Sequence, residues 1–506
     1  MGTWNQELGI GNMKKTIKTA KRHMIGERKI MGVMVAIIAT VGNVWATEAK
    51  SSEAGIEARM VSTTPGAEWK DSGAVAVEAF EGGKVYDVVV TDYAAQEMLG
   101  FGGCFNELGG KALLTLSKSE RARVMEVLFD TEKGLGLRVC RTPVGANDFA
   151  TEWYSYDETA GDLELRKFSI KHDKKYLIPY IKAAQKINPG LKIWASPWSA
   201  PLWMKRNGHY ANKADAINKM LPSQEVPTGQ DQMILEPEYL TAYSKYLSKY
   251  VDEYKKEGID IYMLQFQNEP YTFNIWPNCS WTEGAMSEFL GKYLGPRFAA
   301  EHPEVELWLG TMNTNRIENV DKILGGENVA QYVKGIGVQW EGKDIVKVLT
   351  ERYPGMPIMQ TENECGNGSN DWPAAEHTFG LMRKYIGDGA GLYMYFNMVL
   401  GDDCRSTWGW KQNAMVVADS KTKSARFTPE YWVMKHFSHY VKEGAHRLVT
   451  MGNDRDLLAF ENADGGRIVV VYNPEETERE ISIAIGKEKA VRATLQPKSF
   501  NTLIIK

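Results

Sequence analysis

The chain has 506 residues, 25% of them charged, and a formal net charge of -4. A balance this near neutral supplies no polybasic face for nucleic acid or anionic lipid, so the expected partner is uncharged. Five scattered cysteines (Cys104, Cys140, Cys279, Cys365 and Cys404) make neither a disulfide framework nor a zinc site.

Residues 14–29 are strongly basic, 31–41 are apolar and uncharged, and Val44-Trp45-Ala46 offers small residues where a signal peptidase reads. Residues 1–46 are therefore expected to be a secretory signal peptide cleaved after Ala46. The apolar run is short for a membrane span. The folded part is expected outside the cytoplasm, secreted or periplasmic, with no integral membrane association after cleavage.

Residues 47–97 hold strand-like pieces at 74–80 and 84–90. From Gly100, short apolar runs alternate with amphipathic stretches. The predicted strands are 100–106, 135–145, 191–201, 259–270, 305–313, 335–340, 357–364 and 391–399. The predicted helices are 117–130, 173–187, 238–257, 282–301, 317–324, 343–353, 372–386 and 429–441, with serine or proline starts and glycine or Asn-Pro ends. This alternation describes an α/β fold, a (β/α)8 TIM barrel, over residues 98–442. Residues 443–506 hold further short strands at 457–461, 467–472, 479–485, 490–495 and 501–505. Neither flank has enough strands for its own core, so the two are paired as one side β-sandwich built from both chain ends. The polar, aperiodic segment 203–237 is expected to be a loop on the strand-end face and a wall for substrate.

Two predicted strands end in carboxylates, at Asn268-Glu269-Pro270 and at Thr361-Glu362-Asn363-Glu364. Barrel chemistry sits at the C-terminal ends of the strands. Strands four and seven lie on opposite sides, so Glu269 and Glu362 are expected to face each other across the mouth. Cleaving a glycosidic bond uses such a pair, one carboxyl protonating the departing oxygen and the other trapping or stabilising the sugar cation. Glu364, two residues on, shares the direction of Glu362 and is read as a loop-end hydrogen-bonding group. Gly102-Gly103 lacks the spacing and lysine of a phosphate loop and is read as a tight barrel turn. His436 and His439, three apart with no third ligand, are read as surface or interface residues. Cys104 and Cys140 fall in strands as core residues, while one pair among the other three could bridge.

Six stretches resemble glycoside hydrolase family 30, a clan A family of retaining enzymes that includes glucosylceramidases and β-1,6-glucanases. They are Gly100-Phe101-Gly102-Gly103, Arg141-Thr142-Pro143 with Asn147-Asp148-Phe149, Ala195-Ser196-Pro197-Trp198, Gln267-Asn268-Glu269-Pro270, Thr361-Glu362, and Trp408-Gly409-Trp410-Lys411-Gln412-Asn413. The resemblance implies that Glu269 is the general acid/base and Glu362 the nucleophile. It places Asn268 on the sugar 2-hydroxyl, and Asp148, Trp198 and Asn413 on the hydroxyls and ring face of the first sugar. Arg141 would brace Glu362 and lower its pKa, while Glu269 would be pushed up. Trp340 and Trp410 are further expected substrate contacts, although the family often carries a tyrosine after the former and this chain has Glu341. The segment Asn397 to Leu400 leading into Ser406 to Trp410 is most similar to the bacterial β-1,6-glucanase branch. The implied activity is a retaining endo-β-1,6-glucanase working by double displacement on β-glucan as a monomer, without metal or cofactor. Glucosylceramide, other β-glucosides and xylan are the rival substrates, and an inactive carbohydrate-binding barrel is the alternative that is not an enzyme.

Overall fold

The computed structural model describes residues 57–506; the expected signal peptide lies outside the described residues. Four strands open the chain: β1 (Ala58–Thr64), β2 (Ala67–Ala74), β3 (Ala76–Ala79) and β4 (Val88–Glu97). The barrel follows as β5 (Gly100–Cys104), β6 (Val139–Val144), β7 (Lys192–Pro197), β8 (Ile261–Gln265), β9 (Glu306–Met312), β10 (Val333–Gln339), β11 (Ile358–Glu362) and β12 (Leu392–Asn397). These eight close on themselves through parallel pairs, β12 returning to β5. All eight predicted barrel strands are present.

A small sheet of β13 (Val399–Gly401), β14 (Val416–Asp419) and β15 (Ser424–Phe427) follows the barrel strands. The chain ends in β16 (His446–Gly452), β17 (Leu457–Glu461), β18 (Arg467–Asn473), β19 (Arg479–Ile485), β20 (Lys489–Leu495) and β21 (Ser499–Ile505). The side domain orders its strands β2-β1-β21-β18-β17-β16-β4-β19-β20-β3, so both chain ends build it as expected. Strand β18 shows how it joins the barrel. Val469 and Val471 point into the domain's own core, whereas Ile468, Val470 and Tyr472 pack with the barrel core, as the two-residue period of a strand requires. His436, on the last barrel helix Pro429–Ser438, is buried in the same seam between the hydroxyls of Thr63 and Thr502, each 2.9 Å away. Burial lowers its pKa to about 3, so it stays neutral.

Two helices depart from the prediction for local reasons. The one expected over 282–301 is divided into Glu283–Glu288 and Gly295–Glu301 by a π-helical turn, Phe289–Leu294. Pro296 has no N–H for the preceding turn, which breaks the regular ladder there. The one expected from 173 begins at Leu177, after a turn in which the Asp173 carboxylate accepts from the hydroxyls of Tyr154, Tyr156 and Tyr254 at 2.9, 2.6 and 2.6 Å.

The Gly102-Gly103 expectation needs correction. Both lie inside β5 and not in a turn. A Cβ on Gly102 would stand 1.8 Å from the Val139 carbonyl oxygen, and one on Gly103 would stand 2.3 Å from Met398 Cγ. Gly102 lets the β6 backbone approach closely, and Gly103 makes room for the Met398 side chain just after β12. The five cysteines are all free and buried. Among the described residues no helix is long and apolar enough to cross a membrane.

Candidate active site

The lower barrel interior is filled by Trp194, Met263, Trp308, Met359, Leu392 and Met394, as the layered packing of such barrels demands. Above them the interior turns polar, and the pocket begins. The β8 ladder stops at Gln265. The next residues are held by both neighbours: Asn268 N–H donates to the Pro197 carbonyl at 2.8 Å and Glu269 N–H to the Thr311 carbonyl at 3.2 Å. Glu269 has φ +45° and Trp340 φ +50°. This left-handed region is costly for L side chains and is found where a fold aims a functional group.

Arg141, fully buried on β6, organises the floor. Its Nη1 donates to Glu362 Oε2 at 3.0 Å and its Nη2 to Asn268 Oδ1 at 2.7 Å. Ser196 Oγ accepts from Nε at 3.0 Å and from Nη2 at 2.7 Å. The guanidinium lies 4.0 Å from the Trp198 ring centroid, so it also supports that indole through a cation–π contact.

Gln339 completes the arrangement from β10. Its Nε2 donates to Glu269 Oε1 at 2.9 Å and reaches Glu362 Oε2 at 3.4 Å. Its Oε1 accepts from the Thr361 hydroxyl at 2.8 Å, which fixes which end of the amide faces the carboxylates. One nitrogen therefore touches both carboxylates. Their oxygens lie no farther apart than 2.9 Å and 3.4 Å laid end to end.

Above this layer opens a cavity of about 380 Å³ lined by Asp148, Trp198, Glu269, Trp340, Glu362 and Trp410, among others. Two buried polar atoms at its wall have no protein partner, the acceptor Asp148 Oδ1 and the donor Trp340 Nε1. Native interiors rarely leave such groups unmet, and a hydroxyl-rich ligand would satisfy both. Trp410 meets Trp276 at 4.3 Å between ring centroids, so two indoles flank the mouth.

Electrostatically, three buried carboxyls share one buried arginine. Burial pushes Glu269 up to about 6 and Asp148 up to about 7. Glu362 is pushed up as well, first by burial and then by the Asp148 and Glu269 charges. The expectation that Arg141 would hold Glu362 below its ordinary value is thus corrected. The guanidinium does pull it down, but burial and two like charges outweigh one cation.

Of the predicted site residues, Glu269, Glu362, Asp148, Trp198, Trp340 and Trp410 line the cavity, and Arg141 and Asn268 lie directly beneath it. Asn413 does not line it. Its Oδ1 accepts the Gly368 N–H at 2.7 Å and its Nδ2 donates to Glu430 Oε1 at 2.5 Å, so it fastens the loop carrying Gly366 to the wall. Glu364 turns away into an ion pair with Lys343 at 2.7 Å. The segment 203–237 contributes no residue to the lining of this cavity. Its Lys205 ammonium is buried and donates to Ser199 Oγ and the Tyr210 carbonyl at 2.7 Å and to the Asn278 carbonyl at 2.8 Å, tying the segment to the loop that carries Trp276. Gln339, Glu341 and Trp276 were not foreseen. For Gln339 the signal was present, since it is a polar residue ending an apolar strand, the same mark that singled out Glu269 and Glu362. Among the described residues no group of three or more His, Cys, Asp or Glu could hold a metal ion.

An eight-stranded barrel whose fourth and seventh strands present carboxylates to one pocket, above an arginine that grips the second, defines a barrel glycosidase. The chain belongs to glycoside hydrolase family 30. Residues 98–441 match the family model described as the glycosyl hydrolase family 30 TIM-barrel domain, and residues 444–503 match the glycosyl hydrolase family 30 beta sandwich domain. Among curated relatives, "Putative glucosylceramidase 4" of Caenorhabditis elegans is 30% identical over 84% of this chain and 83% of its own length. An endo-1,6-beta-D-glucanase of Aspergillus fumigatus is 24% identical over 75% of this chain and 78% of its own. Among solved structures, SrfJ from Salmonella typhimurium superposes with a TM-score of 0.79 at 24% identity, covering 88% of this chain and 99% of that one. The endo-beta1,6-glucanase BT3312 gives 0.75 at 23% identity, covering 88% and 98%. These two likenesses show the fold.

Proposed function

We propose that this chain is an exported, retaining endo-β-1,6-glucanase. The observation that carries the mechanism is the double contact of Gln339. Two oxygens within 2.9 and 3.4 Å of one nitrogen are closer than the separation of roughly 6.5 Å at which inverting glycosidases begin, and they suit the roughly 5 to 5.5 Å of retaining ones. Glu362 then attacks the anomeric carbon while Glu269 protonates the departing oxygen. Glu269, deprotonated by that step, next activates the water that releases the sugar. Asn268, oriented by Arg141, serves the 2-hydroxyl, and Asp148 accepts from a hydroxyl of the first sugar.

The β-1,6 linkage rests on the loop from Asn397 to Trp410 and on the glucanases among the relatives. Glucosylceramide is the second reading. It is favoured by the exposed side chains of Ile217 and Leu221 and by the position of Ile217, whose Cδ1 would stand 2.9 Å from a Cβ on Gly409 beside Trp410. Export rests on the pattern of residues 14–46 alone, and a mature N-terminus at Thr47 in the recovered protein would support it.

Product release is to be compared on a β-1,6-glucan, on glucosylceramide and on xylan. Cleavage of the first is expected, and turnover of a rival with inactivity on the glucan overturns the linkage assignment. For the mechanism, Glu269→Ala with azide and an activated β-glucoside should yield the β-glycosyl azide. An α-azide would refute retention.

A further inference from the structure

Glu341 follows Trp340 at the end of β10 and lines the cavity. Its side chain is exposed and makes no hydrogen bond or ion pair with any described residue.

The order of strands around the barrel says which end of a substrate Glu341 meets. Asp148 and Trp198 come from the ends of β6 and β7 and line the cavity with Glu362, which on the glycosidase reading is where the first sugar sits. Glu269, at the end of β8, has to face the departing oxygen. The cavity beyond it is walled from β9 and β10 by Asn313, Trp340 and Glu341. Glu341 therefore stands on the leaving-group flank. Burial is the largest cause that raises both catalytic carboxyls; after it, the Glu341 charge is among those that hold Glu269 up, whereas the charges that raise Glu362 are those of Asp148 and Glu269. Four carboxylates (Asp148, Glu269, Glu341 and Glu362) face the cavity. Against them stand Arg141 below and Lys411, which follows β12 on another flank. The unpartnered Asp148 Oδ1 marks the cavity as built for a ligand, independently of this charge.

We propose that Glu341 selects the leaving part of the substrate: it accepts hydrogen bonds from a donor-rich aglycone or sugar, favours one bearing a cation such as a primary amine, and rejects an anionic one. The inference rests on the glycosidase reading above, because that reading decides which flank is which. An unpaired carboxylate within reach of a bound ammonium attracts it in partly screened solvent, and the same carboxylate repels a bound carboxylate.

The test uses sulfur-linked β-glucosides, which resist cleavage, matched in size and carrying a neutral, an amine-bearing or a carboxylate-bearing aglycone. Affinities are measured by calorimetry at low salt for the native chain and for Glu341→Gln. The amine is expected to bind the native chain on the order of ten-fold more tightly than the carboxylate. That gap should close to about two-fold or less in the variant and should shrink at high salt. An equal gap in both proteins, or no gap or no binding in the native chain, overturns the proposal. Cleavage of the matched oxygen-linked neutral glucoside is measured alongside. Its failure would sink the glycosidase reading, while the binding comparison still decides whether Glu341 senses charge.

Discussion

Replacing Gln339 by methionine tests the site at its least expected point. Methionine keeps the length of the side chain and removes the amide, and the Thr361 hydroxyl retains the Val338 carbonyl at 3.1 Å as its acceptor. The shortest bond lost is the one to Glu269 Oε1 at 2.9 Å; the same nitrogen's longer contacts to Glu362 Oε2 at 3.4 Å and Asn268 Oδ1 at 3.3 Å go with it. Such a bond strengthens as Glu269 gives up its proton, so its loss falls on the transition state. Hydrogen bonds to charged groups contribute about 1.5–3 kcal/mol, which corresponds to a fall in kcat/KM of roughly ten- to hundred-fold. The pH dependence carries a sign as well. The Gln339 amide lowers the Glu269 pKa, so removing it raises that pKa, and the acid stays protonated to higher pH. The alkaline limb of kcat/KM on an aryl β-glucoside should therefore move upward even as the maximum falls. A limb that stays in place or moves down, in a variant that unfolds at the same temperature as the native protein, would refute the role given to this amide.

Three further outcomes follow from the same geometry. Glu362→Gln should lose several orders of magnitude in turnover while still binding glucan by calorimetry, since the cavity is kept and the attacking oxyanion is not; turnover within ten-fold of native would count against the nucleophile assignment. In the native enzyme, with Glu269 pushed up to about 6, kcat/KM should decline as pH rises through about 6, because the acid must carry its proton; a profile flat to pH 8 would contradict this. Gly102→Ala should destabilise the fold by about 1–3 kcal/mol in denaturant unfolding, because the new methyl meets the Val139 backbone at 1.8 Å and backbone cannot swing aside; native stability would show that β5 and β6 have room to part.

What could be read in advance was whatever a single strand carries at its own end. The barrel strands announce themselves because each is a short apolar run stopped by glycine, proline or a polar pair, and the acid and the nucleophile stand at two of those stops. Strand β16 passed unnoticed because only Leu448 of its seven residues is buried, which leaves no alternation to read. The remaining differences share another origin: each concerns a residue whose decisive neighbour comes from a different part of the chain. Gly102 resembles a turn glycine until Val139 is placed across from it, 37 positions along the chain. Asn413 resembles a sugar ligand until Glu430, on the next helix, claims its amide. Arg141 is expected to hold Glu362 ionised because the resemblance pairs the two, but burial outweighs it, and Asp148 and Glu269 crowd the same cation. Gln339 carries the strand-end mark, but its role does not follow from that mark. Its chemistry is trivial as a letter in β10 and becomes specific only when the ends of β8, β10 and β11 converge on one nitrogen. A barrel active site is an intersection of strand ends, so its members are legible one by one, and the bonds among them, which set proton positions and the gap between the carboxylates, belong to the fold.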